Sequence, residues 1–118
     1  MKQKEVFTSL KSKKALQELF TTGEKRFSQN LLLRYLLYPH CDPELKIVIA
    51  IPRDIKKAVE RNRLKRVTRA ALFEALRLKG KPQVCIHAAL HVKKSFADKT
   101  LAERSRELAR LFDPFYEK

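Results

Sequence analysis

Basic side chains are concentrated in one short stretch of the chain. Between positions 53 and 69 there are eight lysines and arginines against two acidic residues, Asp54 and Glu60. Eight minus two leaves +6, so this stretch carries nearly half of the net charge of +14. The basic residues are Arg53, Lys56, Lys57, Arg61, Arg63, Lys65, Arg66 and Arg69. Because arginine offers a planar charged fork that suits phosphate and lysine adds a point charge, the stretch predicts a phosphate-binding surface.

The spacing within this stretch separates apolar from basic residues on a helix. At about 100° per residue, the apolar side chains fall within an arc of about 80° and the basic ones lie opposite. The apolar arc consists of Leu64, Val67, Ala71, Ala75 and Leu78, and the basic side of Asn62, Arg63, Lys65, Arg66, Arg69 and Arg77. One edge is therefore expected to pack on a core while the other presents a row of cations.

A basic helix face can also be an ordinary solvated surface. Solvated faces usually mix charges of both signs at a spacing of three or four residues, whereas this face is almost all of one sign. Because like charges repel, the pattern favours a bound anion, with nucleic acid preferred. Ile55 and Val59 do not fit, since they project onto the basic side. Either the helix begins near Glu60, or another element covers these two residues.

Length and composition predict one domain that binds a polyanion. The chain has 118 residues, of which 44% are hydrophobic, and a pI near 10.1. A nucleic acid is the first candidate and an anionic membrane the second. We expect a basic N-terminal segment over 1–11 and a short tail over 113–118. With neither a membrane-spanning run nor a signal peptide, the sequence predicts a cytoplasmic protein, and Cys41 and Cys85 are expected to be free thiols.

Hydrophobic patterns predict an α+β fold in which helices cover a four-stranded sheet. A first short strand is expected to start at Arg26, followed by strands over 31–38, 46–51 and 84–90. The resulting order is helix, strand, strand, strand, helix, strand, helix.

Local signals predict where the helices begin and end. Ser12 is a candidate N-cap for a first helix over 13–22. The basic helix is expected to run to about Lys79, where glycine and proline follow. Thr100–Glu103 fits a capping box, which predicts the start of a last helix that ends near Pro114.

No catalytic constellation stands out in the sequence. The acidic residues form no Asp-x-Asp or Asp-x-x-Glu pair of the kind that would hold Mg²⁺ in a nuclease, the histidines and cysteines lack zinc-ligand spacing, and two glycines cannot build a phosphate loop. The residues therefore favour a binding module over a catalyst. Aromatic residues in the first third either pack in the core or line a groove in which bases stack on them; these are Phe20, Phe27, Tyr35 and Tyr38.

The stretch 58–69 closely resembles the signature of the bacterial ribonuclease P protein subunit. In that signature Arg61-Asn62-Arg63 is followed by Lys65-Arg66 and then Arg69, and the resemblance covers essentially residues 10–112. It implies a fold like domain 2 of ribosomal protein S5, with a left-handed β-α-β crossover around the signature helix. It also implies an endoribonuclease, a hydrolase whose RNA subunit uses Mg²⁺ to remove the 5′ leader of precursor tRNA. The protein subunit binds that RNA and the leader.

The resemblance further implies where RNA is bound, with no catalytic residue or metal ligand on the protein. The expected RNA-binding residues are Lys56, Lys57, Arg61, Asn62, Arg63, Lys65, Arg66 and Arg69. A cleft between the first helix and the sheet would hold the leader, with Leu16, Phe20, Phe27 and Tyr35 as its candidate residues. Phe20 matches a family aromatic of that cleft, whereas Leu16 replaces a second one. Lys56 stands where many members have glycine, and Asp54 removes a positive charge from the loop before the helix.

Four classes of function are compatible with the sequence to different degrees. A subunit of the ribonuclease P ribonucleoprotein is favoured, followed by a free-standing RNA-binding or ribosome-associated protein. A protein-only nuclease is disfavoured by the missing carboxylate cluster. A membrane-surface role is disfavoured because the basic helix lacks a bulky aromatic face.

Overall fold

The computed structural model describes residues 6–116 of the chain. Five strands, three α-helices and one 3₁₀-helix follow one another within them. Their bounds are β1 Thr8–Ser9, α1 Lys13–Thr22, β2 Glu24–Phe27, β3 Leu31–Tyr38, β4 Leu45–Ala50, α2 Ala58–Leu76, β5 Cys85–Val92, the 3₁₀-helix Lys94–Asp98 and α3 Leu101–Tyr116.

The sheet has five strands in the order β1-β4-β5-β3-β2, so the prediction of four strands is wrong. β1 is the strand that was missed, because its two residues, Thr8 and Ser9, are too few to show an alternating pattern. β1, β4 and β5 are parallel neighbours, and β3 and β2 join them in antiparallel pairing. β4 and β5 are thus connected through α2 as a parallel unit, whose left-handed crossover stays a prediction.

Both faces of the sheet are covered, to different extents. The larger core lies between one face and the helices α2 and α3, and the smaller one lies under α1 around Leu10, Leu19 and Ala89. Because successive residues of a strand point to opposite faces, Ala88 and Ala89 are both fully buried, one in each core. β5 is therefore the central strand, which explains its mostly apolar sequence.

α2 packs on a stripe that is rotated from the predicted one. Its buried residues are Leu64, Thr68, Ala71, Leu72 and Leu76. Thr68 is accommodated because its hydroxyl donates a hydrogen bond to the Leu64 carbonyl at 2.7 Å. The helix ends at Leu76, short of the predicted Lys79, and the predicted core residue Leu78 is 83% exposed.

The two residues that did not fit the helical wheel have different environments. α2 begins at Ala58, so Ile55 lies ahead of the helix and is buried in the larger core. Val59 lies in the first turn and is largely exposed. Neither a helix start near Glu60 nor cover by another element therefore accounts for both Ile55 and Val59.

The predicted caps of α1 and α3 are confirmed. The Ser12 hydroxyl accepts a hydrogen bond from the Ala15 N–H at 3.2 Å. The Thr100 N–H donates to the Glu103 carboxylate at 2.9 Å, and the Glu103 N–H donates to the Thr100 hydroxyl at 3.1 Å. Each bond satisfies an amide that the first turn of a helix leaves unpaired. Local sequence alone is therefore enough to predict where these two helices begin.

α3 continues through Pro114 to Tyr116, beyond its predicted end. A proline inside a helix removes one hydrogen bond and crowds the preceding turn. Phe115 and Tyr116 are nevertheless buried in the larger core, and this burial offsets the cost. The predicted tail over 113–118 is therefore helical up to Tyr116, and 117–118, like 1–5 of the predicted N-terminal segment, lie outside the described residues.

A hydrogen-bond network ties the turn between β2 and β3 to α3. The Glu107 carboxylate accepts from the Asn30 backbone N–H at 2.7 Å and from the Asn30 side-chain amide at 2.8 Å. The Ser95 hydroxyl donates to the Asn30 side-chain oxygen at 2.6 Å. Because hydrogen bonds to a carboxylate are among the stronger ones, this network fixes the end of the sheet that carries Phe27.

Residues 6–116 contain neither a disulfide nor a helix that could span a membrane. Cys41 and Cys85 are free thiols, the former exposed and the latter buried. Among the helices of residues 6–116, none is both long and apolar enough to cross a membrane.

Candidate nucleic-acid interface

α2 and the loop before it turn the signature residues to solvent. All eight residues that the resemblance assigned to RNA binding are exposed; these are Lys56, Lys57, Arg61, Asn62, Arg63, Lys65, Arg66 and Arg69. Six of them lie on α2, whose opposite side is held in the larger core by Leu64 and Leu72. We call these eight residues the cationic face. The buried side holds α2 in place, so the backbone positions of the six residues on α2 have regular helical spacing.

The cationic face is not neutralised within the described part of the chain. None of its seven cations forms an ion pair with a carboxylate of residues 6–116. Arg77, further along the same helix, differs: its guanidinium donates two hydrogen bonds to the Glu74 carboxylate, at 3.1 and 3.0 Å. These bonds and the arginine charge lower the pKa of Glu74. Unpaired like charges repel one another, so a bound polyanion would relieve the repulsion.

The cations of this face point in more than one direction. Lys65 and Arg69 line a depression beside β1 and β4, where the Arg69 guanidinium carbon lies 5.9 Å from the centre of the Phe7 ring. Arg63 lines a second depression together with Lys94 of the 3₁₀-helix. The cationic face therefore wraps around α2, a shape suited to several phosphates rather than one.

The N-terminus of α2 adds to the positive potential. The flanking residue Lys57 makes no side-chain capping bond, and Glu60 is the acidic residue of the first turn. Amides in the first turn of a helix lack intrahelical acceptors and carry partial positive charge. Ile55 anchors the preceding loop in the core, so Lys56 and Lys57 are held beside this end of the helix.

A second surface lies on the sheet face that α1 covers in part. Strand register places Phe27, Leu32, His91 and Ala50 side by side on β2, β3, β5 and β4. Phe27 is 71% exposed there. β4 ends at Ala50 and leads through a short loop into α2, so this open end of the sheet lies next to the start of the cationic face.

Phe20, Arg34 and His91 form a cluster on this second surface. The Phe20 ring, 44% exposed, meets the His91 ring edge-on, with centres 5.6 Å apart and planes at 72°. The Arg34 guanidinium carbon lies 5.6 Å from the centre of the same phenyl ring. Burial and, secondly, the Arg34 charge lower the pKa of His91, which favours its neutral imidazole form. The cluster thus combines aromatic rings for stacking with one cation for phosphate.

Tyr35 does not lie in the predicted cleft between α1 and the sheet. Its side chain lies on the opposite sheet face, where its ring centre is 4.8 Å from that of Phe115 in α3. Strand alternation explains the difference, because Arg34 points to α1 and the next residue must point away. Tyr38 points to the α1 side and contacts His87 at a ring distance of 4.6 Å.

The other three candidate cleft residues lie on the α1 side. Leu16 is half-buried and packs against the smaller core, while Phe20 and Phe27 are exposed. Sequence reasoning did not single out Arg34 and His91 for this surface. The available signal was the alternation along β3 and β5, which becomes informative only once strand neighbours are known.

Residues 6–116 contain no cluster of three or more candidate metal ligands, that is, of His, Cys, Asp or Glu side chains. Mg²⁺ is usually held by carboxylate and phosphate oxygens, and the cationic face would repel it. The exposed cations of α2 and its preceding loop thus form a surface that can bind anions.

The fold and the two surfaces define a basic α+β domain with a cationic helix face beside a partly open sheet. The protein-family model described as Ribonuclease P matches residues 5–116. The chain therefore belongs to the ribonuclease P protein family.

Solved structures share the same fold. The RNase P protein of Staphylococcus aureus superposes with a TM-score of 0.71 at 14% identity, covering 92% of this chain and 97% of that one. The RNase P protein of Thermotoga maritima gives a TM-score of 0.72 at 16% identity, covering 90% and 96%. At these identities the likeness establishes the architecture alone. No curated protein sequence matches the chain.

Proposed function

We propose that the protein is the protein subunit of a ribonuclease P ribonucleoprotein. It binds the catalytic RNA and the 5′ leader of precursor tRNA, and so assists the Mg²⁺-dependent endonucleolytic removal of that leader. The observation that carries the proposal is the set of seven cations on the cationic face that pair with no carboxylate of residues 6–116. Such cations can bind the phosphates of a polynucleotide and displace its counterions.

The second surface supports binding of a single-stranded leader. Phe20 and Phe27 are exposed rings on which unpaired bases can stack, and Arg34 supplies a cation beside the Phe20 ring. Single-stranded RNA offers base faces that a duplex hides, so exposed rings favour the leader over the folded tRNA body.

In this proposal, the protein binds and orients RNA while the RNA subunit performs catalysis. Mg²⁺ is bound mainly by RNA, since the protein lacks a fitting ligand set among its described residues. The protein's cations lower the repulsion between the phosphates of the two RNAs. Such a particle acts on precursor tRNA in the cytoplasm, without a membrane or a small-molecule substrate.

Reconstitution tests the proposal. Bacterial ribonuclease P RNA and a precursor tRNA are mixed at low Mg²⁺, with and without the protein, and release of the leader is followed. We expect stimulation by the wild-type protein and by Arg77→Ala, a matched control that removes an ion-paired arginine of the same helix. Combined replacement of Arg61, Arg63 and Arg66 by alanine should abolish the stimulation.

The same experiment separates the alternatives. RNA binding without stimulation of cleavage would favour a free-standing or ribosome-associated RNA-binding protein. Cleavage by the protein without the RNA would overturn the assignment of catalysis to RNA. Binding should also weaken with salt: if about six to eight phosphates are neutralised, log K should fall with log salt at a slope of roughly −4 to −7.

A further inference from the structure

Phe73 is an exposed aromatic side chain on the outer side of α2. It is 47% exposed, whereas two nearby residues of the buried stripe, Leu72 and Leu76, are completely buried. The resemblance assigned no role to this position. Single exposed apolar side chains are common on protein surfaces, so any role for this ring depends on its position among the neighbouring charges.

The ring extends the cationic face in a straight row. Asn62, Arg66, Arg69 and Phe73 are separated by four, three and four residues. At about 100° per residue they fall within an arc of about 60°, with Phe73 near its middle. Arg69 and Phe73 are therefore neighbours one turn apart on the same side of the helix.

Phe73 also marks the point at which unpaired cations give way to paired ones. Arg66 and Arg69 have no carboxylate partner among residues 6–116, whereas Arg77 is held by Glu74. A polyanion that follows the row would meet the guanidinium groups of Arg66 and of Arg69, which lies beside the Phe7 ring, and then the phenyl ring of Phe73. The ring is thus at the end of the phosphate-binding row, within reach of a nucleotide bound there.

The charges argue against a second copy of the chain as the occupant of this face. In a symmetric dimer, the same patch of both copies meets itself. Contact through Phe73 would bring Arg66 and Arg69 close to the same arginines of the other copy, with like-charge repulsion. RNA supplies both the negative charge and a flat apolar base, so it complements the row and the ring together.

We propose that Phe73 stacks on an unpaired base of the ribonuclease P RNA at the end of the cationic face. This inference rests on the proposed function and adds a stacking residue to its phosphate contacts. The base belongs to a loop, bulge or strand end, because bases within an RNA duplex are already stacked and do not offer a face.

Substitutions at Phe73 test this inference through affinity and salt dependence. The probe is bacterial ribonuclease P RNA, and binding is measured over a range of salt concentrations. Phe73→Ala and Phe73→Leu should weaken binding about 5- to 150-fold with the salt slope unchanged, because stacking releases no counterions. Arg66→Ala, the matched comparison, should make the slope less steep by about one.

Phe73→Trp provides a direct signal of stacking. The chain contains no tryptophan, so this variant carries one fluorophore at the site of interest. It should bind RNA about as tightly as the wild type, and its emission should be quenched when the RNA is added. Leu78→Trp, at a residue that is 83% exposed beyond the helix, should show little quenching.

The outcomes distinguish this inference from the proposed function. If Arg66→Ala weakens binding but Phe73→Ala and Phe73→Leu do not, the stacking role is wrong while the function stands. If the wild-type protein does not bind the RNA, the proposed function itself fails. A wild-type dimer in sedimentation that Phe73→Ala dissociates would also overturn the stacking role.

Discussion

The cationic face and the sheet face under α1 are assembled in different ways. The cationic face comes from 14 consecutive positions, 56–69, and its side chains diverge into solvent. The sheet face brings together Phe20, Arg34 and His91 from α1, β3 and β5. One surface is a local sequence feature displayed by a helix, whereas the other exists only after the sheet has formed.

This difference separates the physical forces that each surface can use. Exposed, unpaired cations attract phosphate over a distance, and salt screens that attraction. Rings in contact with a partly buried imidazole act at short range and respond weakly to salt. The two surfaces should therefore respond differently to salt concentration, to replacement of an aromatic side chain and to pH.

The largest expected effect comes from the buried side of α2. Leu64→Ala should lower the free energy of unfolding by about 2–5 kcal/mol, because it leaves a cavity at a residue that is buried in the larger core. Chemical denaturation measures the change. Leu78→Ala, which removes the same atoms from an exposed position, should have little effect. Equal losses in the two variants would contradict the rotated stripe.

The next effect concerns stacking on the sheet face. Phe20→Ala should weaken binding of a precursor tRNA by about 1–3 kcal/mol, while binding of the same tRNA without its leader is unchanged. Titration of each variant with the two RNAs measures the two binding affinities. Tyr35→Phe is the control, since that side chain packs against Phe115 on the other face. A loss that is equal for both RNAs would show that Phe20 does not face the leader.

Single charges on the cationic face should have a smaller effect. Arg63→Ala or Arg66→Ala should each weaken RNA binding by about tenfold at 0.1 M salt and reduce the salt slope by about one. Thermal unfolding should be nearly unchanged, because both side chains are exposed. Arg77→Ala serves as the control, since Glu74 already neutralises that arginine. Loss of the unfolding transition in Arg63→Ala or Arg66→Ala would show a structural role instead.

The smallest expected effect is the pH dependence that His91 contributes to stability. Burial and the Arg34 charge lower its pKa in the folded protein below the ordinary value of about 6.5. The unfolded chain then binds the proton more readily, so this contribution is present above about pH 6.5 and is lost as the pH falls. Melting temperatures at pH 7.5 and 5 should diverge less in His91→Gln than in the wild type. An identical divergence would exclude the effect.

The elements that local sequence specifies were predicted closely. α1 begins and ends at the predicted residues because Ser12 caps its first turn and Gly23 directly follows its last residue. α2 was predicted from its periodicity, yet its buried stripe was rotated because Thr68, a polar residue, satisfies its hydroxyl within the helix. β1 was missed, since two residues gain strand geometry only from pairing with β4.

The amino-acid sequence by itself determined the position of the charges and the family. A dense basic run on a helix is local, so neither its sign nor its spacing depends on the rest of the fold. Only the tertiary structure decided that Arg34, rather than Tyr35, shares a surface with Phe20. That choice depends on which strands are neighbours and in which register, and contacts between residues far apart in the chain leave no mark on local periodicity.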